Sequence, residues 1–475
     1  MSQILLVLFV GSQALYLLSF LLDAYMFTRP VDWVDDHDRE AVRDADTPRI
    51  VLLYPVLDEL ERTMRTTFEA LARLDYPAER FEVIAIPNSN DGTTIAALRA
   101  MQHDYPFLQI IEVPPTSDDT WNSVWRQWDA CPHVYWWRRG TRARNRDLPA
   151  KKTRQLIYAF YRLVEERGTG EDFLVNYIDA DSAPPVDHFR AGARGMRDYD
   201  VLQSTNIAGN LNATLPASLH AFDHMTWDGR KYPHLSANGK HPYWVLGKGL
   251  FFRASDLVEL GGFNPWITIE DPEVGMRFWK NGRRLGIIRA PLIEEVPETF
   301  AHGIKQRKRW VAGFFQSLGR PLKEMNFTRG ERFRAWLNFL PCLSLSINAI
   351  GLPVGLWAAI TYFLGTGPLP TWTLVLAAVN LTAYVLSMAT LYWSIWKRSA
   401  IVLPTRRARL WYLLRVNPIM IWVWWAIWLV PLWIGWRMYR QDHGLTWERT
   451  EKIDANAGLV RQKLALQANA SRRVQ

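Results

Sequence analysis

Residues 173–185 read FLVNYIDADSAPP. The run Phe173–Ile178 is short, apolar and rich in aromatic and β-branched residues, the composition of a buried strand. Pro184-Pro185 then closes it, because proline cannot donate to a ladder. Asp179 and Asp181 therefore stand at the carboxyl end of a strand, where open α/β sheets bind ligands. Both side chains serve one site only if the chain turns there, and the prolines predict a turn. Hard divalent cations take carboxylate oxygens together with substrate phosphates. The pair thus suits Mg2+ or Mn2+ gripping a diphosphate. A polar loop with turn-forming aspartates is the plainer alternative.

Outward from this strand the same pattern repeats. RIVLLYPV (49–56), FEVIAIP (81–87) and QIIEVP (109–114) alternate with helical stretches such as LERTMRTTFEALARL (60–74). Strands alternating with helices predict an α/β domain over 45–300, a mainly parallel sheet flanked by helices. Residues 114–150 interrupt it with Trp121, Trp125, Trp128, Trp136, Trp137 and a basic run from Arg138 to Arg146. They read either as an insertion or flexible loop beside the site, or as a surface lobe with its own small aromatic core.

The apolar residues are unevenly placed. Residues 1–28 contain ILLVLFVGSQALYLLSFLLDAYMF (4–27), long enough to cross a ~30 Å hydrocarbon core as a helix. No Lys or Arg precedes it and Arg29 follows, which predicts a membrane anchor with its N-terminus outside and the following domain cytoplasmic. A basic amphipathic stretch is expected at 301–336, then apolar blocks within 337–437 and a cytoplasmic tail over 438–475. The block at 417–437 contains Pro418 and Pro431, which predict a broken, re-entrant or interfacial pair. Its tryptophans, at 422, 424, 425, 428, 433 and 436, read as lipid-facing or interfacial anchors. Together these features predict an integral protein of the inner or plasma membrane.

Net charge is +9 across 475 residues, and the basic residues cluster beside apolar blocks, as in Lys305–Arg309 and Arg406–Arg415. That fits a membrane surface. Nucleic acid is disfavoured, because no helix-turn-helix, zinc-finger or RNA-binding aromatic signature is found. Cys131 and Cys342 are the only cysteines and lie far apart, so neither a disulfide framework nor a cysteine metal site is indicated. A transporter is disfavoured by the small number of apolar blocks.

Two further motifs carry chemistry. In GGFNPWITIEDPEVGMRFW (261–279), Asp271 reads as a helix N-cap, with Pro272 as first helical residue and Glu273 in the first turn. Preceded by Glu270, Asp271 also suits a general base toward an acceptor hydroxyl, a cap position keeping it ionised. In Gln306-Arg307-Lys308-Arg309-Trp310, Arg309 suits a leaving diphosphate and Trp310 an apolar platform for a sugar ring. A polybasic segment against anionic lipid is the plainer reading. His302 reads as a structural or surface histidine.

This order of motifs, Asp-x-Asp after a strand, Glu-Asp before a helix, then Gln-x-x-Arg-Trp before apolar helices, resembles family 2 glycosyltransferases. In kind it resembles the membrane-integrated polysaccharide synthases of cellulose, chitin and hyaluronan. The resemblance covers about 48–320. LLYPVLDELERTMRTTFEALARLDYP (52–77), GKGLFFRASDLVELGGF (247–263) and LTWERTEK (445–452) extend it. It implies a GT-A fold and direct, inverting displacement on a nucleotide sugar, UDP-linked, with a glycan or glycolipid acceptor. By position, it implies that Asp58 and Glu59 lie near the nucleoside, Lys151 or Lys152 near the donor, Asp179 on the nucleotide and Asp181 on Mg2+ or Mn2+. Asp271 would be the base, and Gln306, Arg309 and Trp310 would take the diphosphate and acceptor. The family's paired aspartates after the second strand are replaced by IPNSNDGTT (86–94), leaving Asn88 and Asp91, and Ile269 stands where the family has Thr. Transfer of one sugar to a lipid or polyprenyl phosphate, or a non-catalytic scaffold, are the alternatives; a homo-oligomer or an export partner stays open.

Overall fold

Ile50–Pro55 (β1) is buried at every position, as befits a strand covered on both faces. The computed structural model describes residues 2–27, 31, 33–34, 42–131, 134–135, 146–167, 173–236, 241–339, 351, 353–358, 360–365, 370–441, 454 and 456–461. Within it β1 pairs in parallel with Phe81–Ile86 (β2) and Leu174–Tyr177 (β4), and Leu108–Ile110 (β3) pairs in parallel with β2. The other half is mixed. Leu250–Arg253 (β6) runs antiparallel to both β4 and Val201–Ala208 (β5), while Leu285–Glu294 (β7) is parallel to β5. The order is β3-β2-β1-β4-β6-β5-β7. Successive side chains of β1 divide between two cores. Val51 and Leu53 enter one, Ile50, Leu52 and Tyr54 the other, the period-2 alternation of a sheet buried on both sides.

As far as it is described, the tryptophan-rich segment packs its rings into the domain. Trp121, Trp125 and Trp128 are buried, around the helix Asn122–Asp129. Trp121 stacks on Trp125 at 5.1 Å and meets Tyr158 of the helix Lys152–Arg167 at 4.9 Å. These rings join the main core rather than forming a flexible loop or a separate lobe. Trp136, Trp137 and the basic run through residue 145 lie outside the described residues.

The helix Asp271–Lys280 is held by a charge pair inside the protein. Glu273 is fully buried, and Arg277 meets it through Nε–Oε1 and Nη2–Oε2, both 3.0 Å. Arg277 Nη1 also donates to the carbonyls of Leu260 and Gly262 at 2.6 Å each. Gly261 and Gly262 have φ +83° and +79°, which L side chains rarely adopt. One guanidinium thus fixes both the helix and the glycine turn that leads into it.

Two helices, Trp372–Ser399 and Pro418–Gln441, are long and apolar enough to cross a membrane by length and composition. The helix Ser2–Phe27 meets the first of them through a polar contact. Asn380 Nδ2 donates to Gln13 Oε1 at 2.9 Å and to Gln13 O at 3.0 Å, and both residues are buried. The basic end of Trp372–Ser399 reaches the sheet, where Arg398 Nη2 donates to Asn206 O at 2.8 Å.

Pro418–Gln441 departs from the expectation of a broken pair. It is one continuous helix with Pro431 inside it. It lies along the helix Phe300–Leu318, Trp424 near Phe300, Gly435 against Lys308 O and Val311, and Tyr439 against Phe315. Packing against a neighbour offsets the backbone bond that a mid-helix proline removes. Trp424 and Trp428 are accordingly buried, not lipid-facing, whereas Trp433 is 62% exposed. The described tail sits on the α/β domain. Thr66 Oγ1 donates to Asp454 Oδ1 at 2.9 Å, and Arg461 pairs with Glu69 at 3.0 Å. The stretch 445–452, apolar residues 340–350 with Cys342, and residues 462–475 lie outside the described residues.

Arg277→Ala leaves the Glu273 carboxylate buried and uncompensated. Breaking such a pair costs about 3–5 kcal/mol, so the unfolding midpoint in detergent should fall well below wild type. The double variant Glu273→Gln/Arg277→Met should recover part of the loss.

Candidate active site

The carboxyl ends of β1, β2 and β4 open onto one edge, and the Asp179–Asp181 turn forms there. Ser182 N donates to Asp179 O at 3.0 Å, closing a turn within Asp-Ala-Asp-Ser itself, ahead of the prolines. The carbonyl of Ala180, between the two aspartates, accepts from Tyr54 Oη at 2.5 Å and Thr67 Oγ1 at 3.0 Å. Asp181 is buried and accepts from Glu295 N at 2.9 Å, whereas Asp179 is 41% exposed.

Lys152, at the start of its helix, points into the same edge. Its ammonium contacts Asp179 Oδ1, lies 3.9 Å from Glu270 Oε1 and sits 4.6 Å above the Tyr177 ring. Burial alone would lower its pKa, but Asp179, Glu270 and Asp271 outweigh that and hold it above the ordinary value. Lys151, also buried, has no such company, and burial lowers its pKa. Of the two lysines, Lys152 therefore supplies the site's charge.

Glu270 accepts from Tyr177 Oη at 2.8 Å. Asp271 is the first residue of its helix and Glu270 occupies the cap position without a side-chain cap bond. The expected capping role of Asp271 therefore shifts by one residue, and its ionising effect is lost. Burial, then the neighbouring Glu270, raise the Asp271 pKa well above the usual carboxyl range, while Lys152 pulls the other way. Asp271 Oδ1 has no partner among the described residues. Gly247, at φ +64°, lies against this carboxyl, since a Cβ there would stand 2.7 Å from both oxygens. Only glycine fits that position.

The remaining expected residues surround this centre unequally. Asp58, at φ +45°, donates its N–H to Asp91 Oδ2 at 2.6 Å, and Glu59 N donates to Thr94 Oγ1 at 3.3 Å. Asp91 caps the helix Gly92–Gln102 by accepting from Thr94 N at 3.2 Å. Asp91 thus holds the Asp58 loop in place. Asn88 is buried and accepts from Arg154 Nη2 at 2.9 Å. Gln306, Arg309 and Trp310 are half-buried on the helix Phe300–Leu318, and Gln306 Oε1 is buried without a partner among the described residues. His302 is half-buried on the first turn of that helix.

A family model described as glycosyl transferase family group 2 matches residues 174–437, more than half of the chain. The chain belongs to this family. A probable glycosyltransferase of Sulfolobus acidocaldarius is 22% identical over 295 residues, covering 60% of this chain and 54% of that protein. The chain thus spans about half the length of that relative. The mannosyltransferase PcManGT of Pyrobaculum calidifontis, solved with GDP-Man and Mn2+, is 17% identical and has a TM-score of 0.50. The match covers 92% of this chain and 99% of that one, and shows a shared fold.

The site also has neighbours that sequence reasoning missed. Behind Asp181, Ser182 Oγ donates to Glu294 Oε1 at 2.9 Å, and Lys248 Nζ bridges Glu294 Oε2 at 3.3 Å and Asp228 Oδ2 at 3.2 Å. Burial pushes Asp228 up, but Lys248 and His224 outweigh it and hold it at about 2. His224 meets Asp228 at 3.1 Å and its ring stands 6.1 Å from Trp310. Behind Trp310, Arg307 is 1% exposed, pairs with Asp223 at 3.0 Å, and lies 4.9 and 5.0 Å from the Trp424 and Trp428 rings. The stretch 247–263 entered the sequence reading only as part of the family resemblance, and nothing in it marked Lys248 as buried.

Among the described residues no three His, Cys, Asp or Glu side chains converge as a metal cage. A divalent cation completed by substrate phosphates needs only one or two carboxylates, and the Asp179–Asp181 turn offers that many. The donor set fits such an ion.

The raised Asp271 pKa makes stability depend on pH. Between the ordinary carboxyl range and the raised value, the folded state holds a proton that the unfolded state has lost. Stability from this group is therefore full at acid pH and declines as pH rises through the folded-state pKa. Thermal midpoints of wild type should show that decline relative to Asp271→Asn, whose curve should be flatter. Parallel curves would contradict the burial argument.

Proposed function

We propose that this glycosyltransferase is an inverting enzyme that moves a hexose from a nucleotide sugar, UDP-linked, to a glycan acceptor at the cytoplasmic face of a membrane. The observation that carries this reading is the convergence of Lys152, Asp179, Glu270 and Asp271 at the carboxyl edge of the sheet. An acceptor oxygen attacks the anomeric carbon as the bond to the diphosphate breaks on the opposite side. Asp271, in its ionised form, takes the proton of that hydroxyl. Lys152 and Arg309 hold the negative charge that accumulates on the leaving diphosphate. Asp181 would hold Mg2+ or Mn2+, which supplies further positive charge to that diphosphate when bound. Asp58, Glu59 and Asn88 line the nucleoside side, Asp179 contacts the nucleotide, and Gln306 and Trp310 receive the acceptor.

The same reading places the protein in the inner or plasma membrane. Ser2–Phe27, the apolar block expected at 337–364 and Trp372–Ser399 would cross, while Pro418–Gln441 lies in the interface along the α/β domain. That placement keeps both Arg415, which donates to Asn212 O at 2.5 Å, and the described tail on the domain's side. A second reading, transfer of a single sugar to a lipid or polyprenyl phosphate, is favoured by the small number of long apolar helices. Among the described residues three helices reach crossing length, Ser2–Phe27, Trp372–Ser399 and Pro418–Gln441, few for a polymer channel.

Purified protein in lipid, screened against UDP- and GDP-sugars with Mg2+ or Mn2+, should release one nucleotide, and product length separates polymer from single addition. Asp271→Asn should retain donor binding and lose transfer by roughly 10²-fold or more, in the range of general-base loss. Turnover surviving in that variant would remove Asp271 as base. Asp181→Ala should weaken metal-dependent nucleotide binding; unchanged binding would put the metal elsewhere.

A further inference from the structure

The helix Phe300–Leu318 ends at Gly319, and two short helices follow, Arg320–Glu324 and Arg329–Leu337. Thr328 and Glu331 form a reciprocal cap that starts the second. The turn between them brings Arg320, Lys323, Arg329 and Arg332 onto one cleft of about 690 Å3, walled also by Trp336 and Tyr439. No acidic side chain lines it among the described residues. Of the nearby carboxylates, Glu324 compensates Arg320, and Glu331 is engaged outside the cleft. Glu324 pairs with Arg320 at 3.0 Å, and Glu331 meets Lys280 at 2.9 Å and its own cap N–H at 2.7 Å. Among the described residues Lys323, Arg329 and Arg332 have no ion-pair partner, and Arg332 Nε is buried without a hydrogen-bond acceptor.

Uncompensated positive charge gathered on one concavity attracts a multivalent anion. The surroundings say what carries that anion. Tyr439 belongs to the last turn of the apolar helix Pro418–Gln441. Trp336 lines the cleft beside Tyr439, and Phe333, on the same short helix as Trp336, is 67% exposed. Aromatic rings beside cations at the end of an apolar helix mark the level of lipid headgroups. Gly319 lies nine residues beyond Trp310, roughly 14 Å along a helix rising 1.5 Å per residue, so the cleft stands apart from the sugar site.

We propose that this cleft binds the phosphate of an anionic lipid headgroup, its chains running beside Pro418–Gln441. The inference rests on the interfacial placement of that helix. Arg329 and Arg332 hold the phosphate oxygens, Lys323 adds charge at the mouth, and Trp336 and Tyr439 cover the glycerol region. Because Tyr439 packs on Phe315, at 5.7 Å between rings, a bound headgroup joins the end of the apolar helix to the helix that carries Gln306, Arg309 and Trp310.

Full-length protein in neutral detergent, mixed with phosphatidylglycerol or phosphatidylcholine, tests this by native mass spectrometry of retained lipid. Wild type should retain phosphatidylglycerol preferentially. Arg329→Gln/Arg332→Gln should lose that preference, while Lys323→Gln, at an exposed position, should weaken it about fivefold, the effect of one cation near an anionic surface. Donor hydrolysis in detergent should be unchanged by Lys323→Gln. Equal retention of both lipids by wild type, or full preference in the double variant, would overturn the proposal. So would displacement of the lipid by an equal concentration of inorganic phosphate, which would mark a free-anion site. Recovery of wild type in water without detergent would instead sink the membrane reading beneath it.

Discussion

Lys152 is surrounded by carboxyl groups, two of them buried and one, Asp179, open to water. Its ammonium touches Asp179, lies 3.9 Å from Glu270 and feels Asp271. A buried cation is tolerable only with partners, and buried carboxylates only with a cation or a proton. Here the acids outnumber the cation, and burial together with Glu270 raises the Asp271 pKa well above the usual carboxyl range while Lys152 pulls it down. Each other piece of the edge follows from keeping those groups in register. Tyr177 donates to Glu270, Gly247 makes room for the Asp271 carboxyl, and the Glu273–Arg277 pair fixes the helix that presents it. Such crowding of charged groups is the ordinary companion of a preorganised site.

A second buried cation organises the opposite wall. Arg307 is enclosed by Asp223, Trp424 and Trp428, and Trp428 Nε1 donates to Asp223 at 2.8 Å. Three separate parts of the chain meet there: the helix Leu215–Thr226, the helix bearing Gln306 and Trp310, and Pro418–Gln441. Because Arg307 sits within the motif that faces the site, the apolar helix cannot leave without exposing its charge partner. The segment that reads as a membrane element is therefore structurally part of the catalytic domain.

Much of this was legible in the sequence. β1 to β4 announced themselves as apolar runs, and the motif order gave the family resemblance that the family model bears out. What stayed hidden depends on burial. Trp424 and Trp428 look the same in sequence as the exposed Trp433, since composition does not say which face of an apolar helix meets protein. Asp271 read as an ionised cap because Asp-Pro commonly begins helices; the structure moves the cap to Glu270 and buries the aspartate. Lys248 and Asp228 lie 20 residues apart in sequence, and only the sheet brings them together behind Asp181. Strands β5 to β7 escaped because their antiparallel member breaks the alternation of strand and helix that signalled the first half.

The two walls are joined through the polar core between them. From the Asp179–Asp181 turn the chain of contacts runs Ser182, Glu294, Lys248, Asp228 and His224, whose ring faces Trp310. Each link is a buried charge or hydrogen bond, and each loses its compensation if the next one moves. Such a path is stiff because its alternatives are costly, not because any one bond is strong. It fixes the distance between the turn expected to grip the diphosphate and the ring expected to receive the acceptor. In-line displacement tolerates little error in that distance, which gives a physical reason for placing ions, rather than apolar packing, in this part of the core.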